Sequence, residues 1–221
     1  MDKMIIFSFT GEGTQLNRKL NQFCKRNEIP VESYSVERYA ENEILPLPQK
    51  SQEFIRENWG KSGFIFIGAA GIAVRWIAPF VKDKFTDSPV LVMDEKGKYV
   101  IPILSGHIGG AVELAEQIGM WIEAEVVHTT ATDVQQKFAV DVFARKYHLL
   151  FKDRKKAKEI SAAVLEGEKI ACLIEDQDII IEGKIPKELI ICRSREVWEP
   201  YPYKVKLESF REKRTEQAEE P

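Results

Sequence analysis

Leu104-Ser105-Gly106-His107-Ile108-Gly109-Gly110 is the stretch on which the fold turns. Before it stands the β-branched run Tyr99-Val100-Ile101-Pro102-Ile103, and after it comes Ala111-Val112-Glu113-Leu114-Ala115-Glu116-Gln117-Ile118, a good helix pattern. The order is strand, tight polar turn, helix, the unit that lines ligand crevices in α/β sheets. Gly106, Gly109 and Gly110 let the backbone come close to whatever sits there. Ser105 and His107 are the reactive side chains of the turn. The alternative is a plain turn without a ligand, but a turn that needs only positive φ does not call for three glycines with a serine and a histidine.

Upstream, Pro89-Val90-Leu91-Val92-Met93-Asp94 reads as a strand and Glu95-Lys96-Gly97-Lys98 as a hairpin turn. Strands joined so tightly are antiparallel, so the sheet is mixed. Phe64-Ile65-Phe66-Ile67 is a buried strand that enters Gly68-Ala69-Ala70-Gly71 and then a helix from Ile72 to about Val81. Free amides at that helix start attract an anion, and Arg75, one turn in, faces the same opening. A surface ion pair of Arg75 with Asp83 or Asp87 is the competing reading. Trp76 is either a stacking surface or, with more weight, core.

At the amino end, Met4-Ile5-Ile6-Phe7-Ser8-Phe9 is a buried parallel strand, and Leu16, Leu20 and Phe23 mark an amphipathic helix ending near Asn27. Gly11-Glu12-Gly13 between them lacks a third glycine and a P-loop lysine, which leaves a nucleotide-binding reading weak. Val31–Val36 is a second strand, and Pro46 and Pro48 mark a loop. After Glu125-Val126-Val127-His128, Thr132 or Asp133 caps a helix in which Val134, Phe138 and Val142 are spaced by fours. Further on the chain is more charged. A helix starts in the basic run 152–158, and strands are expected at 169–174, 178–181 and 189–192. That basic run reads as a solvated face rather than an anion site.

The fold class is therefore α/β. A three-layer, Rossmann-like, mixed and mostly parallel sheet spans 1–128, a small α+β domain spans 129–199, and 200–221 is a charged tail expected to be flexible.

Composition narrows the function. The 221 residues carry a net charge of −3, so no global basic field favours nucleic acid. No apolar run has the length of a membrane span and no signal peptide opens the chain, so a cytoplasmic protein is expected. Cys24, Cys172 and Cys192 are widely spaced and read as reduced thiols. His107, His128 and His148 share no short spacing, which argues against a zinc site.

Several stretches taken in order resemble one family. They are Gly68–Pro79 with Lys82–Asp87, Val90–Asp94, Leu104–Ala111, and Thr129-Thr130-Ala131-Thr132-Asp133. This set resembles the cobalamin-biosynthesis family CbiG, the cobalt-precorrin-5A hydrolases, over its N-terminal and central regions. The family usually continues into a C-terminal domain, in whose place this chain has the charged tail. The resemblance implies opening of the ring-A δ-lactone of a cobalt-tetrapyrrole substrate, with release of acetaldehyde. The cobalt is carried by the substrate, so no cofactor or protein-bound metal is implied. Expected partners are that substrate, a separate C-terminal CbiG-type polypeptide and a second copy of the chain, with no nucleic acid and no membrane.

Such a substrate is flat and fringed with carboxylates. Helix starts at Gly71, Gly109 and Thr132 would supply anion-binding donors, so Gly68, Gly71, Arg75, Gly106, Gly109, Gly110, Thr129, Thr130 and Thr132 are the candidate binding residues. Lactone opening needs an activated water and a stabilised oxyanion. His107, whose free side chain titrates near neutrality, is the candidate general base, with the Gly109 and Gly110 amides as oxyanion donors. Ser105 is the alternative nucleophile. Asp133 is the candidate for orienting His107, against a helix-capping role. The competing class is a noncatalytic tetrapyrrole-binding or scaffold subunit.

Overall fold

β1 (Met4–Ser8) is buried along its whole length. A strand with no polar face must be covered on both sides. In the computed structural model, which describes residues 1–107, 109–151 and 153–209, both sides are covered. The first of two compact units, Met1–His128, continues through α1 (Gly11–Arg26), β2 (Val31–Ser35), β3 (Ile44–Pro46), α2 (Ser51–Asn58), β4 (Gly63–Ile67), α3 (Ala70–Ile77), β5 (Val90–Met93), β6 (Tyr99–Leu104), α4 (Ala111–Ile122) and β7 (Glu125–Val126). Alternation along β1 divides the core. Met4 and Ile6 join Leu16, Leu20 and Ile118 on one face, and Ile5 and Phe7 join Ile55, Ala73 and Ile77 on the other. Phe7, Phe64 and Phe66 are fully buried, each contributing about 2–3 kcal/mol.

The sheet order is β3-β2-β1-β4-β5-β6-β7. The chain steps outward from β1 through α1 to β2, and from β4 through α3 to β5 in the opposite direction. Crossovers of one hand taken in opposite directions put their helices on opposite faces. The strand order reverses between β1 and β4, so their carboxyl ends form the switch-point crevice of the parallel part.

β6 runs antiparallel to β5, as the hairpin requires, and β7 runs parallel to β6. The Asp94 carboxylate fixes the reversal, accepting from the amides of Lys96 (2.9 Å) and Tyr99 (2.6 Å). Two sequence readings of this unit need correction. Pro46, expected in a loop, instead ends the strand Ile44–Pro46 on the sheet edge, where its missing N–H breaks no ladder. The helix after Gly68 ends at Ile77 rather than Val81, with Pro79 in a 3-10 turn over 78–80.

The second unit begins at Thr129 and contains α5 (Ala131–Val134), α6 (Val140–Lys146), β8 (Leu149–Leu150), α7 (Arg154–Leu165), β9 (Ile170–Leu173), β10 (Leu189–Cys192), α8 (Arg195–Trp198), β11 (Lys204–Lys206) and β12 (Glu208–Ser209). Its parallel sheet is β10-β9-β11, with β8 and β12 forming an antiparallel pair. The single helix expected through Val134, Phe138 and Val142 is instead α5 and α6, separated by a turn in which Gln136 has φ 51°. Residues 178–181, expected as a strand, lie outside the sheet, whose strands are β10, β9 and β11. The reading of 200–221 as a tail is overturned in its first part. Val205 and Leu207 are buried, and β11 and β12 pair within the unit. Residues 210–221 lie outside the described residues. So does Lys152 of the basic run, where Asp153 caps α7 through the amides of Lys155 and Lys156.

Glu175, just after β9, accepts from Lys206 Nζ (2.8 Å) and Arg195 Nε (3.1 Å), which ties together the segments after β9, β10 and β9's other neighbour β11. The Lys206 and Arg195 hydrogen bonds hold its carboxyl below the ordinary value of 4.5. A carboxyl depressed in the folded state stabilises above its unfolded pKa and loses that stabilisation as pH falls through its folded value. Glu175→Gln is therefore expected to lower Tm at neutral pH, with the gap to wild type closing below about pH 4. Thermal unfolding across pH 3–7 checks this; a gap that does not change with pH rejects it.

Candidate functional site

The antiparallel setting of β6 decides where the candidate residues lie. Leu104 pairs with Val90, and Val90 pairs with Phe64 at the start of β4. The turn leaving β6 therefore emerges at the amino ends of β4 and β5. Gly68 leaves the carboxyl end of β4, four residues or about 13 Å further along the strand direction. The sequence reading that gathered both turns at one crevice is corrected by this geometry: they occupy opposite edges of the sheet.

At the carboxyl edge, Ala69, Ala70 and Gly71 are exposed at the start of α3. Arg75 folds back along its own helix and donates from Nη1 to Gly71 O (3.1 Å). The competing ion pair of Arg75 with Asp87 is not formed, because the Asp87 carboxylate is committed elsewhere. Gly68, with φ +151°, lies where an added Cβ would be 3.2 Å from the Phe9 ring, so its lack of a side chain serves the packing of two turns. Across the crevice Thr10 caps α1, accepting from Gly13 N, while its hydroxyl donates to Glu95 Oε2 at 2.6 Å. Trp76 is core: its ring meets Phe7, Phe9 and Phe66 edge-on at 5.2, 5.6 and 5.9 Å.

The opposite edge is built around Asp87, which the sequence offered only as an ion-pair partner for Arg75. Asp87 is 7% exposed, and its carboxylate accepts from the amides of Lys82 (2.9 Å) and Asp83 (3.0 Å) and from Trp59 Nε1 (3.2 Å). That locks the loop 82–89. Ser105 Oγ then donates to Asp87 O at 2.8 Å. Ser105 is itself buried, in the left-handed region with φ 52°. Its hydroxyl proton is thus engaged with a carbonyl, which gives Ser105 a positioning task and disfavours the nucleophile reading. The only hint of this in sequence was the Asp-rich spacing Asp83…Asp87 ahead of Ser88-Pro89.

Gly109 is a steric requirement, since an added Cβ would lie 2.6 Å from Ser105 Cβ and 2.7 Å from Ser105 O. Gly110 has φ +85° and precedes α4. The expected oxyanion site at the Gly109 and Gly110 amides is reduced: Gly110 N donates to His107 O (3.2 Å), Ala111 N to Ser105 O (3.3 Å) and Val112 N to Gly106 O (3.0 Å). A turn that folds back over its own helix start satisfies those amides internally. His107 is half-buried on this turn. β7 runs parallel to β6, so His128, two residues beyond it, comes to the same edge. Its Nε2 lies 3.9 Å from Glu116 Oε1, and its buried Nδ1 has no hydrogen-bond partner.

The remaining candidates belong to the second unit. Thr129 and Thr130 are exposed. Thr130 precedes α5 without a side-chain cap bond, so the helix start expected at Thr132 falls two residues earlier. Thr132 is 6% exposed and its Oγ1 has no partner. Asp133 lies inside this one-turn helix and lines a cavity of its own unit rather than capping. Among the described residues, no helix is long and apolar enough to cross a membrane and no group of three or more His, Cys, Asp or Glu could hold a metal ion. Burial pushes the Cys24 thiol up to about 11, which makes it unreactive at neutral pH.

Residues 53–133 match the model of the cobalamin synthesis G N-terminal region, and residues 138–188 match that of the cobalamin biosynthesis central region. The chain belongs to the cobalamin synthesis G family. The matched regions contain both turns and the whole Thr129–Asp133 segment. The cobalt-precorrin-5A hydrolase of Priestia megaterium is 33% identical over 172 residues, which are 77% of this chain and 46% of the relative. That of Salmonella typhimurium is 35% identical over 157 residues, 71% and 43% of the two chains. The chain thus spans less than half the length of these curated relatives. In fold it is similar to the crystal structure of a cobalamin biosynthesis protein G homolog from Sulfolobus solfataricus, with TM-score 0.57 at 21% identity over 94% of this chain and 60% of that one.

The geometry of the Ser105 turn makes a pair of expectations. Gly109→Ala should destabilise the first unit by about 1–3 kcal/mol through overpacking. Ser105→Ala should cost about 1 kcal/mol, the worth of one buried hydrogen bond. Denaturant unfolding gives both values; a Gly109→Ala protein as stable as wild type contradicts the steric account.

Proposed function

We propose that the chain carries the hydrolytic regions of a cobalt-precorrin-5A hydrolase. The observation that carries this reading is the identity of 33–35%, over 157–172 residues, to proteins of that name. The substrate is a cobalt-tetrapyrrole, its cobalt travelling with it, and the reaction opens the ring-A δ-lactone and releases acetaldehyde to give cobalt-precorrin-5B. The half-buried His107 takes the proton of the attacking water. Ser105, held on Asp87 O, keeps the turn and so His107 in place. The start of α3 and Arg75, at the opposite edge of the sheet, stand outside this reading of the hydrolytic site. Hydrolysis by water fits the burial of the Ser105 hydroxyl better than a covalent serine intermediate does.

A second reading has an observation of its own. The Ser105 hydroxyl is engaged by Asp87 O and the Gly110 amide by His107 O, which suits a noncatalytic tetrapyrrole-binding subunit.

Incubating the purified chain alone with cobalt-precorrin-5A and trapping acetaldehyde separates the two. Under the hydrolase reading acetaldehyde appears, His107→Gln lowers kcat by about 10²–10⁴ and Ser105→Ala keeps most of it. A visible spectral shift without acetaldehyde supports the binding subunit. A covalent substrate adduct on Ser105, found by mass spectrometry of the quenched reaction, rejects water attack.

A further inference from the structure

The second unit holds a cavity of about 260 Å³ that the proposed hydrolysis does not use. One wall is aromatic. Phe143 stands between Phe138 and Tyr147, with ring centroids 5.8 and 4.9 Å away. Beside them Val142 and Ile185 remain 44% and 47% exposed, leaving an apolar mouth open to water. An apolar recess with a few convergent polar groups is the usual build of a small-molecule site.

The polar groups here are three ammonium ions, Lys137, Lys146 and Lys184, against the single carboxylate Asp133. Lys137 faces a buried carboxylate from behind. Its Nζ lies 3.9 Å from Oε1 of Glu188, a residue 5% exposed whose Oε1 accepts no hydrogen bond. The contact is an ion pair without a hydrogen bond, and Lys187 Nζ lies at the same 3.9 Å from that oxygen. Lys146 Nζ is held 5.2 Å above the centre of the Tyr147 ring, and the Tyr147 hydroxyl donates to Glu182 O at 2.8 Å, fixing that ring. Lys184 follows Gly183, whose φ of +87° turns the chain over the cavity's edge. Positive groups around an aromatic floor select a flat, apolar-bodied anion. The volume admits one small ring with its substituents and not a whole macrocycle.

We propose that this cavity binds a carboxylate-bearing, pyrrole-sized aromatic ring, as the edge of a tetrapyrrole polycarboxylate. The choice of tetrapyrrole rests on the proposed function; the ring-with-carboxylates chemistry rests on the cavity alone. Lys146 and Lys184 meet the carboxylates, Lys137 sets the field at the inner end, and the Phe143–Tyr147 pair packs against the ring.

Two probes test it on the intact chain: uroporphyrin I, an octacarboxylate macrocycle followed by its fluorescence, and porphobilinogen, a single pyrrole with two carboxylates, followed by titration calorimetry. Saturable binding of uroporphyrin I is expected, with the Lys146→Met/Lys184→Met double variant at least tenfold weaker. Ala139→Trp, which fills the cavity and leaves the lysines, should weaken it as much. Lys155→Met/Lys158→Met, on exposed positions of α7, should change it less than twofold. Weaker binding of porphobilinogen at the same site assigns the cavity to one edge of a macrocycle, and equal binding assigns it to a free ring. Absence of saturable binding, equal loss in the α7 control, or no loss in either cavity variant overturns the proposal. No turnover enters these readouts. Acetaldehyde release without probe binding therefore removes this inference alone, and probe binding without acetaldehyde release removes the hydrolase reading alone.

Discussion

The reversal of the chain at Asp94–Lys98 is the constraint on which the first unit depends. Two amides held by the Asp94 carboxylate and the left-handed Gly97, at φ +69°, close a hairpin that β6 follows back along β5. Had a helix connected these strands, β6 would run parallel, and its exit turn would open beside Gly68 at the switch point. With the hairpin in place, the Ser105–Gly110 turn is delivered to the opposite edge, where the loop 82–89 and the end of β7 also arrive. A few backbone hydrogen bonds thereby select which side chains can share a site.

That edge is built from the inside out. Asp87 is satisfied by two amides and an indole N–H, so burying its charge is tolerable. Its own carbonyl then receives Ser105, and Gly109 must be small because Ser105 stands against it. Glycines that looked like room for a ligand are, at 109 and 68, room for neighbouring protein atoms. The same test leaves Gly71 different: its nearest outside atom is the flexible guanidinium of Arg75 at 3.3 Å, and it lies exposed at a helix start. Steric need thus separates glycines that build a turn from a glycine that leaves one open.

The two units also differ in the donors they expose. The first offers backbone donors at the start of α3, in a chain whose net charge is −3. The second offers side-chain ammonium groups, one of them 3.9 Å from a buried glutamate. Backbone donors recognise a carboxylate by geometry and are insensitive to the rest of the sequence, whereas the lysines recognise charge and lose their hold in salt.

The sequence by itself determined the layers. Unbroken apolar runs such as Met4–Phe7 and Phe64–Ile67 require cover on both faces, and glycine turns between strand and helix patterns give the order of elements, because local periodicity and φ preferences act within a few residues. It also determined the family, through motifs whose order survives in one dimension, and it allowed the antiparallel hairpin to be read from Glu95–Lys98. Only the tertiary structure decided that Gly68 and Ser105 face opposite edges, that the Ser105 hydroxyl is engaged by Asp87 O, that 204–209 is sheet rather than tail, and that Lys137, Lys146 and Lys184 surround one cavity. Each of these depends on which groups from distant parts of the chain come within hydrogen-bonding or packing distance, a matter of a few ångströms that strand register and burial fix and that no local pattern carries.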